Sequence, residues 1–198
     1  MDFEIWSRTQ EYQNTSKIQP IQISHLYDHW VCAKNNAEVP KQLDFSIDAV
    51  KEFASHLALV DLEANPKCAR YVLVSKNLKR LLGKDRTNMA IEDVYPPDTS
   101  KEIYDAFSKT VHERTATFYQ RSYVVLGKQF GYYRLISPLR LNSDAVRRLL
   151  IGIYPTDYKM TDASGWQKTV DKLLRRKQKF EDMHPRKLGK VWESSLNR

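Results

Sequence analysis

The sequence predicts an α+β fold built on one antiparallel sheet of five strands. Two short apolar segments separated by a turn signal precede a helical stretch, and three longer apolar segments with short connections follow it. Connections of only a few residues join antiparallel neighbours, so both blocks read as hairpins and a repeated βαβ arrangement is not expected. A length of 198 residues allows one domain with a hydrophobic core and extensions at its ends.

The N-terminal part of the chain is predicted to hold an arm and a helix. Residues 1–20 are polar and follow no clear period, so we expect a flexible arm of low order. A helix is predicted to begin at Ile21 and to end at Asn35 and Asn36, ahead of Pro40. Apolar residues at spacings of three and four give this helix one buried face: Ile23, Leu26, Tyr27, Trp30 and Val31.

The middle and the end of the folded region alternate helices with strands. A helix is predicted over Ser46–Ala54 with Ser46 as its cap, and a strand hairpin over Leu57–Leu62 and Arg70–Ser75 around the Asn65-Pro66 turn. The remaining elements are a short helix over Asn77–Leu82 ending at Gly83, a loop over 84–98, a helix over Ser100–His112, and strands over Thr115–Val125, Phe130–Leu139 and Val146–Tyr154.

The composition excludes several classes of protein. With 41% hydrophobic and 28% charged residues, the chain is typical of a globular domain and not of a low-complexity or collagen-like sequence. It contains no apolar run long enough to span a membrane, and its first residues lack the apolar core of a secretory signal. Two cysteines, Cys32 and Cys68, do not make a disulfide framework, so we expect a cytoplasmic protein.

The positive charge is concentrated at the C-terminal end. The net charge is +8, and six of these charges come from residues 159–198, predicted to be a basic helical extension of the body at 21–158. An apolar stripe runs from Trp166 to Phe180 at helical spacing, and basic residues surround it: Lys168, Lys172, Arg175, Arg176 and Lys179. Such a helix could contact nucleic acid, an anionic surface or an acidic partner, dock on the sheet, or simply be a solvated face.

The order of these elements resembles that of a PAS domain. More specifically, residues 27–155 resemble the small single-PAS proteins common in alphaproteobacteria. The segments that carry the resemblance are Tyr27-x-x-Trp30, Asp44 before a helix, His56–Asp61, Arg70–Val74, the turn Gly83-Lys84-Asp85, Tyr132–Leu139 and Leu150–Gly152. The family often has glycine where this chain has Asn88, so the local backbone is expected to differ there.

The resemblance implies a curved sheet with helices over one face, and either a filled core or a ligand pocket between them. By the two-residue period of a strand, Tyr71 and Leu73 share one face, and so do Tyr132, Arg134 and Ile136. We take these five residues as candidate ligand contacts. A buried Arg134 would need an anionic partner, which suggests an acidic ligand or an internal carboxylate. The alternative is an Arg134 that extends into solvent with its stem over Tyr132.

Signals for metals, cofactors and catalysis are weak. His112 lies near the end of the long helix, where haem-binding PAS domains carry a ligand, but it also suits a helix C-terminus. His25, His29 and Cys32 have helical spacing, yet an exposed polar edge is the more economical explanation, so no metal site is predicted. The photoactive flavin motif, phosphate-binding loops and nucleophile elbows are absent from the sequence. No cofactor can be named.

The sequence therefore favours a non-enzymatic PAS sensor or adaptor. It would bind a small molecule or a signalling protein, form a homodimer through its helices, and pass on a conformational bias. The alternative is a binder of nucleic acid or an anionic surface that uses the basic extension, with the body as scaffold. A third interpretation is a well-packed dimerisation module without a ligand.

Overall fold

The computed structural model describes residues 5–12, 21–45, 51, 54–63, 68–81, 84–125 and 128–156. The strands are β1 (Ile5–Tyr12), β2 (Leu57–Leu62), β3 (Ala69–Val74), β4 (Thr117–Val125), β5 (Lys128–Arg140) and β6 (Val146–Pro155). The helices are α1 (Ile21–Ala33), α2 (Lys76–Leu81), α3 (Ile91–Val94) and α4 (Pro97–Glu113). Two single 3₁₀ turns cover Gln42–Asp44 and Ala54–His56.

All six strands belong to one sheet in the order β1-β4-β5-β6-β2-β3, and every neighbouring pair is antiparallel. The five predicted strands and the α+β class are confirmed. The two blocks of strands meet where β6 pairs with β2, from Leu57 opposite Gly152 to Asp61 opposite Arg148. This pairing joins the two blocks into one sheet, although helices separate them along the chain.

The prediction of a low-order arm is wrong over residues 5–12. This segment pairs with β4 along its whole length, from Ile5 opposite Val125 to Tyr12 opposite Phe118. An edge strand is held by backbone hydrogen bonds to its neighbour, and these leave no hydrophobic period in the sequence. Lys109 of α4 adds an ion pair to Glu11 at 2.6 Å. The other arm residues lie outside the described part of the chain.

Helix α1 begins at Ile21 as predicted. It ends before Asn35 and Asn36, whose φ angles of 42° and 70° fall in the left-handed region that asparagine tolerates. Val31 does not share the buried face, since its side chain is 42% exposed. The buried stripe follows Ile23, Leu26, Trp30 and Ala33, and Val31 lies about 100° around the helix from Trp30.

Other helix predictions are corrected or fall outside the described residues. Helix α4 starts three residues earlier than predicted, because Pro97 suits the first helical turn, and α3 interrupts the expected loop over 84–98. Most of the helix expected over Ser46–Ala54 lies outside the described residues, as does the whole of 159–198. No described helix is long and apolar enough to cross a membrane.

The two faces of the sheet carry separate hydrophobic cores. We call the face under α1 the outer face and the face under α2, α3 and α4 the inner face. The outer core consists of Ile23, Leu26, Trp30, Leu57, Phe118, Leu135, Leu139, Leu150 and Tyr154. The inner core includes Val60, Tyr71, Leu78, Ile91, Phe107, Tyr119, Ile136, Ile151 and Ile153.

A bulge in β3 changes which residues face inward. Tyr71 pairs with Val60, but Leu73 pairs with the preceding residue Leu59, so Val72 is an extra residue in β3. The extra residue shifts the alternation by one position. Tyr71 and Val74 are consequently buried, whereas Leu73 is 47% exposed. The prediction that Tyr71 and Leu73 share a face is wrong for this reason.

Candidate functional site

Three arginine side chains are buried on or beside the inner face. Arg86, between α2 and α3, is 2% exposed, and Arg121 of β4 and Arg134 of β5 are each 9% exposed. Taking a guanidinium group out of water costs several kcal/mol unless an anion and hydrogen bonds compensate. A protein that needed only stability would fill these positions with apolar side chains, so the group is the strongest candidate for a functional site.

The strand register determines the surroundings of Arg134. Its cross-strand neighbours are Tyr119 of β4 on one side and Ile153 of β6 on the other, and both belong to the inner core. The guanidinium carbon lies 5.0 Å from the centre of the Tyr119 ring, within the range of a cation–π contact. This contact orients the guanidinium group but supplies no negative charge.

Within the described part of the chain, Arg134 also lacks the charged partner that a buried cation normally has. Its Nε atom is buried and makes no hydrogen bond with the described residues. Among the ion pairs of those residues, Arg121 contacts Glu102 at 3.1 Å, Arg140 contacts Asp144 and Arg148 contacts Asp61, and none includes Arg134. A buried hydrogen-bond donor without an acceptor costs about 1–3 kcal/mol. Arg134 is therefore the residue of this group with the clearest unmet need for an acceptor among the described residues.

A tyrosine pair lies near this arginine. The hydroxyl groups of Tyr71 and Tyr95 are 3.1 Å apart, and the guanidinium carbon of Arg86 lies 4.7 Å from the centre of the Tyr95 ring. Burial and then the contact with Tyr95 raise the pKa of Tyr71 well above its ordinary value, while the charges of Arg86 and Arg134 act in the opposite direction. Tyr71 is therefore a neutral hydroxyl group at physiological pH, close to two cations.

The loop after α2 brings Arg86 to the inner face. Asp85 accepts hydrogen bonds from Lys79 Nζ at 2.6 Å and from the backbone N–H and hydroxyl of Thr87 at 2.9 and 2.7 Å. The hydrogen bond from Lys79, followed by those from Thr87, lowers the pKa of Asp85 to about 2. This compact turn at Asp85 holds the next residue, Arg86, inward.

Asn88 fastens the same loop to the edge strand. Its backbone N–H donates to the carbonyl of Tyr71 at 2.7 Å, and the N–H of Tyr71 donates to Met89 at 3.0 Å. The φ angle of Asn88 is 64°, in the region that glycine adopts most easily and asparagine next. At this φ angle, Asn88 adopts a backbone conformation that glycine also adopts. The different local backbone expected from the sequence is therefore not observed here.

The structure brings together four of the five predicted ligand contacts. Tyr71, Tyr132, Arg134 and Ile136 all pack on the inner side, whereas Leu73 points away because of the bulge. The solvent-exposed alternative for Arg134 is wrong, because its side chain is buried on a central strand under residues of α4. Whether these residues bind a ligand stays a prediction.

Sequence reasoning missed other members of the site. Tyr119 and Arg121 follow Thr117 at the two-residue period of β4, so the pattern that identified Arg134 could have found them. Arg86 and Tyr95 lie in irregular segments, where no period reveals the direction of a side chain.

The other candidates from the sequence do not form a site in the described residues. His25 and Cys32 are exposed, and the ring of His29 lies 4.6 Å from that of Phe45, where burial lowers its pKa. His112 is exposed in the last turn of α4. No group of three His, Cys, Asp or Glu side chains in the described ranges could hold a metal ion. The basic residues between Lys168 and Lys179 lie outside those ranges.

A surface hollow of about 320 Å³ borders the inner core, next to Leu62, Val111 and Val146. Two of its lining residues are arginines, but both serve structural contacts. Arg114 pairs with Glu38 and donates to the Asp144 carbonyl at 3.3 Å, and Arg147 donates to the Glu63 carbonyl at 3.0 Å. Arg134 is consequently a better candidate than either arginine of the hollow.

Comparison with known proteins gives structural similarities at low sequence identity. No protein family model and no curated protein matches the chain. The chain is similar to the PAS domain of Bordetella pertussis BvgS, at 15% identity and a TM-score of 0.46, over 72% of this chain and 98% of that one. It is also similar to an RNA-binding light-oxygen-voltage receptor, at 15% identity and a TM-score of 0.36, over 93% of this chain and 45% of the receptor.

The described part of the chain has the fold of a PAS domain. This assignment rests on its own topology: a hairpin, short helices and three further antiparallel strands form one sheet with helices over the inner face. The narrower resemblance to alphaproteobacterial single-PAS proteins stays a prediction.

Proposed function

We propose that this protein is a non-enzymatic PAS sensor or adaptor that binds a small anionic molecule at its inner face. The observation that carries the proposal is Arg134, a buried cation with no carboxylate partner among the described residues. An anion at this position would supply the missing charge and acceptors, so it would stabilise the folded, occupied state over the empty one. Nothing about this role requires a chemical reaction.

A chain of contacts links Arg134 to the edge of the sheet. Tyr119, which contacts the guanidinium group, lies opposite Glu11 in the pairing of β4 with β1, and Glu11 forms the ion pair with Lys109 of α4. Arg121 connects β4 to α4 directly, through Glu102. An anion that shifts Arg134 would therefore change the contacts that hold β1. A partner protein that senses β1 or the terminal helices would receive the signal.

Native mass spectrometry of the freshly purified full-length protein tests this proposal. We expect a mass above that of the polypeptide, corresponding to a co-purified small molecule, and a homodimer in the same spectrum. The added mass should disappear in the Arg134→Gln variant and persist in Arg80→Gln, which replaces an exposed arginine of α2. A wild-type protein without added mass, and with no affinity for any anion in a ligand screen, would contradict the proposal.

The charge distribution supports a second candidate, binding of nucleic acid or an anionic surface through residues 159–198. This segment carries six of the eight net positive charges. Binding of this kind releases counterions, so its affinity falls steeply as salt increases. Affinity for RNA or DNA that depends strongly on salt and is lost on deletion of residues 165–198 would favour this candidate. Unchanged affinity after the deletion would exclude it.

A further inference from the structure

We infer that the ligand of the inner face is a monocarboxylate with an apolar body, such as a medium-chain carboxylic acid in its ionised form. The inference rests on the function proposed above and specifies the chemical class of the molecule. Three features of the described residues lead to it: the charge around Arg134, the donors that face this arginine, and the apolar side chains beside it.

The charge around Arg134 favours a single anionic group. Arg121 already pairs with Glu102, whereas Arg134 forms no ion pair with a described residue. One carboxylate would neutralise Arg134. A second carboxylate on the same ligand would have to lie among Ile136, Ile153 and other apolar side chains of the inner core. Burial of an unpaired charge in such surroundings is strongly unfavourable, which disfavours dicarboxylates.

The available donors fit a carboxylate. The Nε–H of Arg134 and the adjacent terminal N–H group point the same way, so together they can donate to both oxygens of one carboxylate. The pair of Tyr71 and Tyr95 hydroxyls supplies a third donor. One of these hydroxyls donates to the other, which leaves the second hydroxyl proton free for an acceptor nearby. Burial keeps Tyr71 neutral, so it does not repel the anion.

The side chains beside Arg134 fit an apolar body. Ile153 is its cross-strand neighbour, Ile136 is the next residue on the same face of β5, and Phe107 of α4 belongs to the same core. The Tyr119 ring occupies the other cross-strand position. A ligand anchored by its carboxylate at Arg134 would therefore place the rest of the molecule against aliphatic and aromatic carbon, where hydrophobic burial favours it.

Isothermal titration calorimetry of the full-length protein tests this inference with three probes. Octanoate carries the charge and the apolar body, octanamide lacks the charge, and succinate has two charges and a minimal apolar body. We expect octanoate to bind at least about tenfold more tightly than either of the other probes, because loss of a charge-assisted hydrogen bond costs about this factor or more. The Arg134→Gln variant should lose the preference for octanoate, and Arg80→Gln should retain it.

The Arg134→Lys variant keeps the experiment decisive if Arg134→Gln does not fold. Lysine preserves the charge but lacks the paired N–H groups, so we expect octanoate affinity to fall by about tenfold with the preference over octanamide reduced. Equal binding of octanoate and octanamide, tighter binding of succinate, or unchanged octanoate affinity in both Arg134 variants would overturn the inference. A dianionic compound found by native mass spectrometry would also overturn it, while leaving the proposed function intact. A neutral compound would contradict both.

Discussion

The outer and inner faces of the sheet are both covered by helices, but the partners of their arginines differ. On the outer face, the indole N–H of Trp30 donates to the Pro138 carbonyl at 2.9 Å, and Arg148 binds both carboxylate oxygens of Asp61. On the inner face, Arg134 is also buried, and it has no such partner among the described residues. A cation paired with a carboxylate serves the fold, and a buried cation without one indicates a cost accepted for another purpose.

The difference also explains why the two faces should respond differently to substitution. Outer-face residues contribute directly to the free energy of unfolding, so their loss should destabilise the protein. The inner-face arginine should contribute little to stability, or oppose it, until a ligand is present. The following predictions test this contrast.

Replacement of Trp30 by alanine should give the largest effect. Trp30 is almost completely buried at the centre of the outer core, and its ring stacks on Tyr27 at 6.1 Å. We expect the free energy of unfolding to fall by about 3–5 kcal/mol, the range found for large core residues truncated to alanine. Urea unfolding monitored by circular dichroism would measure it. The matched control Val31→Ala, at an exposed position of α1, should change stability little, and a Trp30→Ala effect as small as that would contradict the assignment of the outer core.

Parallel replacements of two arginines by methionine should affect the free energy of unfolding differently. Arg148→Met removes the pairing with Asp61 and the contact with Gln42, so we expect a loss of about 1–3 kcal/mol. Arg134→Met replaces a buried, unpaired cation by an apolar side chain, so ligand-free protein should be unchanged or more stable by about 1 kcal/mol. Chemical unfolding of both variants is the measurement. A strong loss of stability in Arg134→Met would show that Arg134 serves the fold.

Alkaline pH should destabilise the protein through Tyr71. Because burial raises its pKa in the folded state above the unfolded value of about 10, the unfolded chain loses its proton first as the pH rises. The free energy of unfolding should therefore fall above pH 10, by up to about 1.4 kcal/mol per pH unit for this group. Tyr104 and Tyr119, whose pKa values are also raised by burial, contribute in the same direction. The free energy of unfolding, measured at a series of alkaline pH values, should fall less steeply with pH in Tyr71→Phe than in wild type. Equal slopes would contradict the burial of this hydroxyl.

The smallest expected effect concerns the loop that presents Arg86. The depressed pKa of Asp85 means that its contribution to stability is present above about pH 4 and is lost as the pH falls towards about 2. A carbon-detected NMR titration should give a midpoint of about 2 for this carboxylate. Lys79→Met should raise that midpoint, because the hydrogen bond from Lys79 is the largest cause of the shift. A midpoint in wild type at the usual pKa of an aspartate would show that the turn is not formed.

Much of the fold could be predicted from the sequence because local patterns determine it. Short connections required antiparallel strands, and the spacing of apolar residues located α1. The spacing of apolar residues did not predict elements that are held by non-local contacts. Strand β1 has no hydrophobic period that would reveal it. Its backbone pairs with a strand more than a hundred residues away, and the sequence gives no sign of this pairing. The bulge at Val72 is equally hidden, since valine and leucine suit a regular strand and a bulged one alike.

The candidate site was partly predictable for the same reason. The two-residue period put Arg134 on the same face as Tyr132 and Ile136, and the structure agrees. Its burial could not be decided from the sequence, because arginine can extend past its neighbours to water and only the packing of α4 over β5 excludes this. Arg86 gave no signal, since the turn formed by Asp85 and Thr87 determines its direction.

The most direct test of the central claim is an NMR titration that observes the arginine Nε–H groups of the full-length protein. The Arg134 resonance, assigned by its loss in Arg134→Lys, should shift on addition of octanoate and stay unchanged with octanamide. The Arg148 resonance, from the outer face, should not move with either compound. An Arg134 resonance that is unaffected by octanoate, or that responds equally to both compounds, would contradict the claim that this arginine anchors a carboxylate.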